Sequence, residues 1–390
     1  MHVEALYSNE VDEEPPPPYW DPVLRRNRGK RLSLFRALLK IGLVRVKRRG
    51  AAKCQVGIFF VNKTGKRGKR LIIDARRGNA QFVSPPGVTL CSSECMSRVE
   101  VNVPDDIVEG SPEWFQALRD LELAMGLADV CDCFHRYVLD DEFAAWFGVG
   151  DATSSELDLS GELLDGIPLL PEEELDILWG SLPMGFSWSL FFVQVTGEHV
   201  MATSPALLNS TLMNDRAAPA VFTAASGSCE AKGASHFVFV DNLGVLGLGR
   251  NHVADTVCAV SKSFDELGLA THEHEVQEGS VKALGNKIDV QRFRSTVWDP
   301  RFWKVKRCLE YALSVRALPG RIWEIILGTA LSSACKNVAP YLVFARSTRS
   351  FAKTITSAPP SGILREPSSI ASSASCISCG ATGRYPGAVL

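Results

Sequence analysis

The stretch HFVFVDNLGVLGLG, residues 236–249, decides how the rest of the chain is read. Two runs of β-forming residues flank Asp241-Asn242, a pair suited to a tight turn. The stretch therefore predicts a β-hairpin with a carboxylate at its tip. Two explanations of that carboxylate stand side by side. It is ordinary turn chemistry, or it is half of a metal site whose other half lies elsewhere in the chain.

A chain of 390 residues, 46% hydrophobic and 22% charged, can bury a sizeable core in two or three domains. No apolar run is long enough to span a bilayer, so no membrane role is expected. The N-terminus is acidic and lacks the basic-then-apolar pattern of a secretion signal. The expectation is an intracellular protein, nuclear or cytoplasmic. The eleven cysteines are odd in number and follow no framework, which suits small core residues in a reducing compartment.

The net charge of −2 conceals segregation. Residues 23–77 carry nineteen Lys/Arg and one acid, Asp74, whereas residues 101–180 carry twenty Asp/Glu and two Arg. The basic section fits contact with a polyanion or a solvated, self-repelling arm. The acidic section fits divalent-cation binding or a surface without a role.

Along the chain, residues 1–22 (with VDEEPPPPYWDP) read as a disordered or polyproline tail. Residues 23–50 read as one amphipathic basic helix, with Leu34, Ala37, Leu38 and Ile41 at helical spacing. QVGIFFVN and RLIIDA form a hairpin around the basic turn KTGKRGKR. A helix is expected from Ser111, then the β-prone run LADVCDCFHRYVL, 127–139. Residues 150–176 and 203–235 read as insertions. A Pro-Gly turn opens a long apolar helix over 182–202. A helix over 252–267 and a strand pair over 281–290 follow. Residues 299–346 read as two or three helices, and the chain from Ser347 onward as a disordered tail.

A two-metal site needs carboxylates on adjacent strands. Asp129, in a β-prone run, and Asp241, at the hairpin tip, could supply them, although two aspartates alone are unremarkable. The surrounding order is more telling. RLIIDARRGNAQF (70–82), LADVCDCFHRYVL (127–139), LPMGFSWSLFFVQ (182–194), FVDN (239–242) and ALGNKI (283–288) resemble, in the same order, five segments of reverse transcriptases. The resemblance spans roughly residues 55–290. Val-Asp-Asn with Leu-Pro-Met-Gly-Phe-Ser-Trp is similar to divergent retroelement proteins abundant in dinoflagellate genomes.

The resemblance implies an α+β right-hand polymerase with an antiparallel palm sheet. The basic N-terminal helix and fingers would take 23–125, the palm 126–290 with its two insertions, and a helical thumb-like region 295–346. It implies RNA-directed DNA polymerisation, with RNA/DNA template-primer and deoxynucleoside triphosphates as partners and no statement on oligomeric state. Asp129 and Asp241 would bind two Mg²⁺ ions, with the Val130 backbone carbonyl as a further ligand. Phe134 would sit beneath the sugar, or it is a core phenylalanine. Lys63 and Arg70 would bind the triphosphate, Arg through its planar fork. Gly185 would allow close backbone approach to nucleotide or template, and Met184 would make contact by packing alone.

Asn242 departs from the family, which carries aspartate there. An amide is a weaker Mg²⁺ ligand, so weaker metal binding or a shift toward Mn²⁺ is expected. Cys376-x-x-Cys379, Cys91-x-x-x-Cys95 and His272-x-His274 lack partners at ligand spacing, and GLGRNH (247–252) lacks a third glycine. Two rivals remain: a catalytically inactive relative that only binds nucleic acid, and another palm-type nucleotidyltransferase such as a nucleotide cyclase.

Overall fold

The computed structural model of the protein describes residues 6, 15–63, 68–223, 234–290, 294–297, 299–315 and 319–326. The expected tail beyond Ser347, with Cys376 and Cys379, lies outside them.

A five-stranded mixed sheet carries the hairpin singled out above. Its strands are β1 (Leu123–Val130), β2 (Thr211–Leu212), β3 (Ser235–Phe239), β4 (Asn242–Leu248) and β5 (Thr271–Gln277). They lie in the order β2-β3-β4-β1-β5, antiparallel except for the β2–β3 pair. Two helices pack on one face: α1 (Ser189–Thr203) and α2 (Arg250–Glu266). Side-chain alternation along β1 explains why. Ala124, Gly126 and Ala128 share the core of α2's Val253 and Val257, and a Cβ on Gly126 would meet Val257 at 2.5 Å. Leu123, Met125 and Leu127 face the opposite side, where they join Trp114, Phe222 and Phe237 in a second core. Asp129 continues that odd-numbered series and so stands on the face away from the helices.

The basic N-terminal section is not one helix. Asn27 ends a first short helix and caps Arg28–Lys40 through Lys30 N, and the chain then turns at Gly42, at φ +74°. Val44–Arg48 is a strand. It pairs antiparallel with Glu174–Trp179, which pairs in turn with Gly148–Thr153. Residues 150–176 thus begin and end in strands of a three-stranded sheet.

This pairing brings the two charged sections together. Arg28 meets Glu156, Arg36 meets Asp158, and Arg45 and Lys47 share Asp141. Arg48 meets Glu173, and Arg49 reaches Asp151 and Asp176. Buried Asp176 also accepts from Gly50 N and Ala52 N, both at 2.9 Å. The Arg28 fork, helped by the Thr153 amide, pulls the Glu156 carboxyl down to about 2.

Where the sequence suggests a loose tail, residues 15–22 lie against the protein. Tyr19 packs edge-on to Phe59, Trp20 to Phe35, and Asp21 N donates to Ile58 O. The anchor is Asp74, at the end of the basic hairpin Gly57–Asn62/Lys69–Asp74. Its Oδ2 accepts from Tyr19 N at 2.6 Å, and both oxygens accept from the Arg76 fork. Burial alone would raise this carboxyl, but the Arg76 and Tyr19 hydrogen bonds outweigh it and hold it below its ordinary 3.8. Its contribution is therefore complete above pH 3.8 and is lost as pH falls through the lower native value. Asp74→Asn is expected to cost about 1–2 kcal/mol at pH 7. The gap between the two proteins in urea titrations should shrink as pH falls below 3.8 and close below the lowered native value; a gap that does not shrink would mean the charge of Asp74 is not what holds the segment.

Further on, Ser280–Ala283, Asn286–Asp289 and Arg294–Val297 form a small antiparallel sheet. Its first turn, Leu284-Gly285, has positive φ at both residues, as a type I′ turn requires. A helix, Asp299–Ser314, follows. Among the described residues no helix is long and apolar enough to cross a membrane.

Candidate active site

Asp129 and Asp241 come together because β4 lies beside β1. Asn242 is the register partner of Asp129, and Val130 N donates to Asp241 O at 2.8 Å. The hairpin turn is not Asp241-Asn242 but Val240-Asp241, since Phe239 pairs with Asn242. The shift has a visible cause. Val240 adopts φ +61°, a conformation that a β-branched residue avoids. It is held there by Gln194 of α1, which is 1% exposed. The Gln194 Oε1 accepts from Val240 N at 2.9 Å, and its Nε2 donates to Val238 O at 3.0 Å and Glu198 Oε1 at 2.8 Å. The Val240 side chain is itself buried, which adds to the constraint.

The Asn242 amide donates to Asp241 Oδ1 at 2.8 Å. On the other side of Asp129 stands His272, its register partner on β5. Its Nδ1 lies 3.0 Å from Asp129 O and its Nε2 3.8 Å from Asp129 Oδ2. Cys133, three residues beyond Val130, registers the local field: burial first, then the carboxylates of Asp241 and Asp129, push its thiol up to about 12. Two carboxylates, Asp129 and Asp241, thus lie close to one buried thiol.

A second set of contacts ties the basic hairpin to this site. Ile73 N donates to Met184 O at 3.3 Å. Gly185 has φ +112°, and a Cβ there would lie 2.5 Å from Ile73 O. The close approach that Gly185 allows is thus to the chain's own backbone. Asn79 clamps the same turn from both ends: its Nδ2 donates to Gly185 O at 3.0 Å, and its Oδ1 accepts from Ser187 N at 3.0 Å. The turn leads into α1 and so to Gln194.

Of the residues singled out in the sequence, Asp129, Val130, Asp241 and Asn242 form one cluster. Met184 is half-buried against the main core, and Phe134 is buried within it on the short helix Cys133–Arg136. Lys63 and Arg70 are exposed on the basic hairpin. Gln194, Asn79 and His272 were not expected at the site. A glutamine within the apolar run SLFFVQV was the available signal, because a buried amide needs partners. His272 gave none, since strand pairing alone brings it beside Asp129.

No family model and no curated protein matches the chain. Among solved structures, a foamy viral protease-reverse transcriptase in complex with double-stranded DNA superposes with a TM-score of 0.50 at 13% identity. The match covers 83% of this chain and 43% of that one. The fold is reverse-transcriptase-like. A second structure of a foamy viral protease-reverse transcriptase with double-stranded DNA gives 0.46 at 13% identity, covering 84% and 56%. The chain spans about half the length, or less, of these reverse transcriptases.

Proposed function

We propose that this chain is the polymerase portion of a retroelement reverse transcriptase, extending a primer 3′-hydroxyl with deoxynucleoside triphosphates on an RNA template. The observation that carries the proposal is the juxtaposition of Asp129, at the end of β1, and Asp241, in the turn that opens β4, in a reverse-transcriptase-like fold. In this reading the basic hairpin belongs to the fingers, the five-stranded sheet is the palm, and Asp299–Ser314 opens the thumb. Asp129, Asp241 and the Val130 carbonyl offer oxygen donors of the kind Mg²⁺ takes. Divalent ions bound there would favour ionisation of the attacking hydroxyl and offset charge on the transferring phosphate. Arg70 and Lys63 would hold the triphosphate, and Phe134 would limit space at the sugar 2′-position.

The expected result of primer extension on an RNA template is incorporation that is lost to background in Asp129→Ala and Asp241→Ala. Asn242→Asp, which adds a carboxylate, should raise Mg²⁺-supported extension by about tenfold. No extension in Mg²⁺ or Mn²⁺ from any of these proteins would sink the proposal. The second reading, an inactive nucleic-acid binder, draws on the Asn242 amide that occupies Asp241 Oδ1. It predicts retained, salt-sensitive RNA binding without extension.

A further inference from the structure

We infer that His272 and Glu273 complete the coordination of the ion held by Asp129, and that they bias the site toward a first-row transition ion over Mg²⁺. The inference rests on the reading of Asp129 as a metal ligand. Ligand atoms of Asp129, His272 and Glu273 all lie within 4.8 Å of one another. That is not what a regular strand delivers. Asp129 pairs with His272, and the residue after His272 should point to the opposite face. Here the register slips between His272 and Glu275, and Glu273 takes φ +54°. The bulge turns two successive side chains toward the same carboxylate, a means of aiming side chains that recurs beside active sites.

The imidazole is also oriented as a ligand would be. Its Nδ1 is 3.0 Å from Asp129 O, a carbonyl that can only accept, so Nδ1–H donates to it and Nε2 faces the carboxylates of Asp129 and Glu273. Metal-binding histidines are fixed in this way, by a carbonyl or carboxylate on the nitrogen remote from the ion. Nε2 lies 3.8 Å from both Asp129 Oδ2 and Glu273 Oε1, leaving room for a shared cation. Charge follows the same pattern. Asn242, the β4 register partner of Asp129, is an amide, and Glu273 supplies a carboxylate on the β5 flank. First-row transition ions accept a nitrogen donor, whereas Mg²⁺ takes oxygens and keeps its waters.

The test is Mn²⁺ binding to the full chain, followed by electron paramagnetic resonance, with pulsed detection of nitrogen coupled to the bound ion. Wild type should bind Mn²⁺ more tightly than Mg²⁺ and show imidazole nitrogen coupling. His272→Ala should abolish the coupling and weaken Mn²⁺ by about tenfold, with Glu273→Gln weakening it to a similar degree. Glu273 is exposed and His272 only half-buried at the sheet edge, so neither change threatens folding. If Asp129→Asn removes Mn²⁺ binding but His272→Ala changes neither affinity nor spectrum, His272 is only an ion-pair bridge; the inference falls and the reading of Asp129 survives. If Asp129→Asn is also without effect, both fall together.

Discussion

Gln194→Leu is expected to destabilise the protein by at least 2 kcal/mol and, on the proposed reading, to remove primer extension. The substitution keeps volume and leaves α1 intact, so the loss comes from hydrogen bonds alone. Two buried backbone groups, Val240 N–H and Val238 C=O, lose their partner, at about 1–3 kcal/mol each. The second consequence is conformational. Val240 holds φ +61° because its surroundings enforce it, and strain of this kind is worth about 1–3 kcal/mol. Without the amide the turn can relax, and Asp241 moves with it. A urea titration measures the first effect and primer extension the second. A Gln194→Leu protein within 0.5 kcal/mol of wild type would show that the turn holds itself.

Gly185→Ala is the other large effect, expected at about 3 kcal/mol. An alanine at φ +112° is strained whatever surrounds it, and its Cβ would lie 2.5 Å from the Ile73 carbonyl. That oxygen cannot withdraw freely. Ile73 pairs with Ile58 across the basic hairpin and donates its own N–H to Met184 O. The clash must therefore break the seam between hairpin and turn. Hydrogen exchange at the Ile73 amide should accelerate more than at the Val245 amide in β4. Equal acceleration at both would mean that the substitution loosens the whole protein and not this seam.

Much of this architecture is legible in the sequence because it depends on local pattern. The hairpins, the Pro-Met-Gly turn and the apolar helix after it all follow from turn residues and periodicity. So does the β-prone run ending in Asp129. What escapes the sequence depends on partners distant along the chain. The turn falls one residue earlier than Asp241-Asn242 suggests because Gln194, 46 residues away, captures Val240 N–H. The basic stretch breaks into helix and strand because Val44–Arg48 finds Glu174–Trp179. His272 lacks partners at ligand spacing until β5 docks beside β1.

The pairing of the two charged sections has a thermodynamic consequence for polyanion binding. Arg28, Arg36, Arg45, Lys47, Arg48 and Arg49 already face carboxylates of residues 141–176. A nucleic acid meeting those six would displace the protein's own anions and liberate no condensed counterions of its own beyond that exchange. Each phosphate neutralised by an uncommitted cation contributes about 0.7–0.9 to the exponent of the salt dependence. Exposed Lys63, Lys69 and Arg70 would count toward that exponent, and the six paired cations would not. Affinity on the proposed reading should thus fall less steeply with added salt than a tally of nineteen basic residues implies.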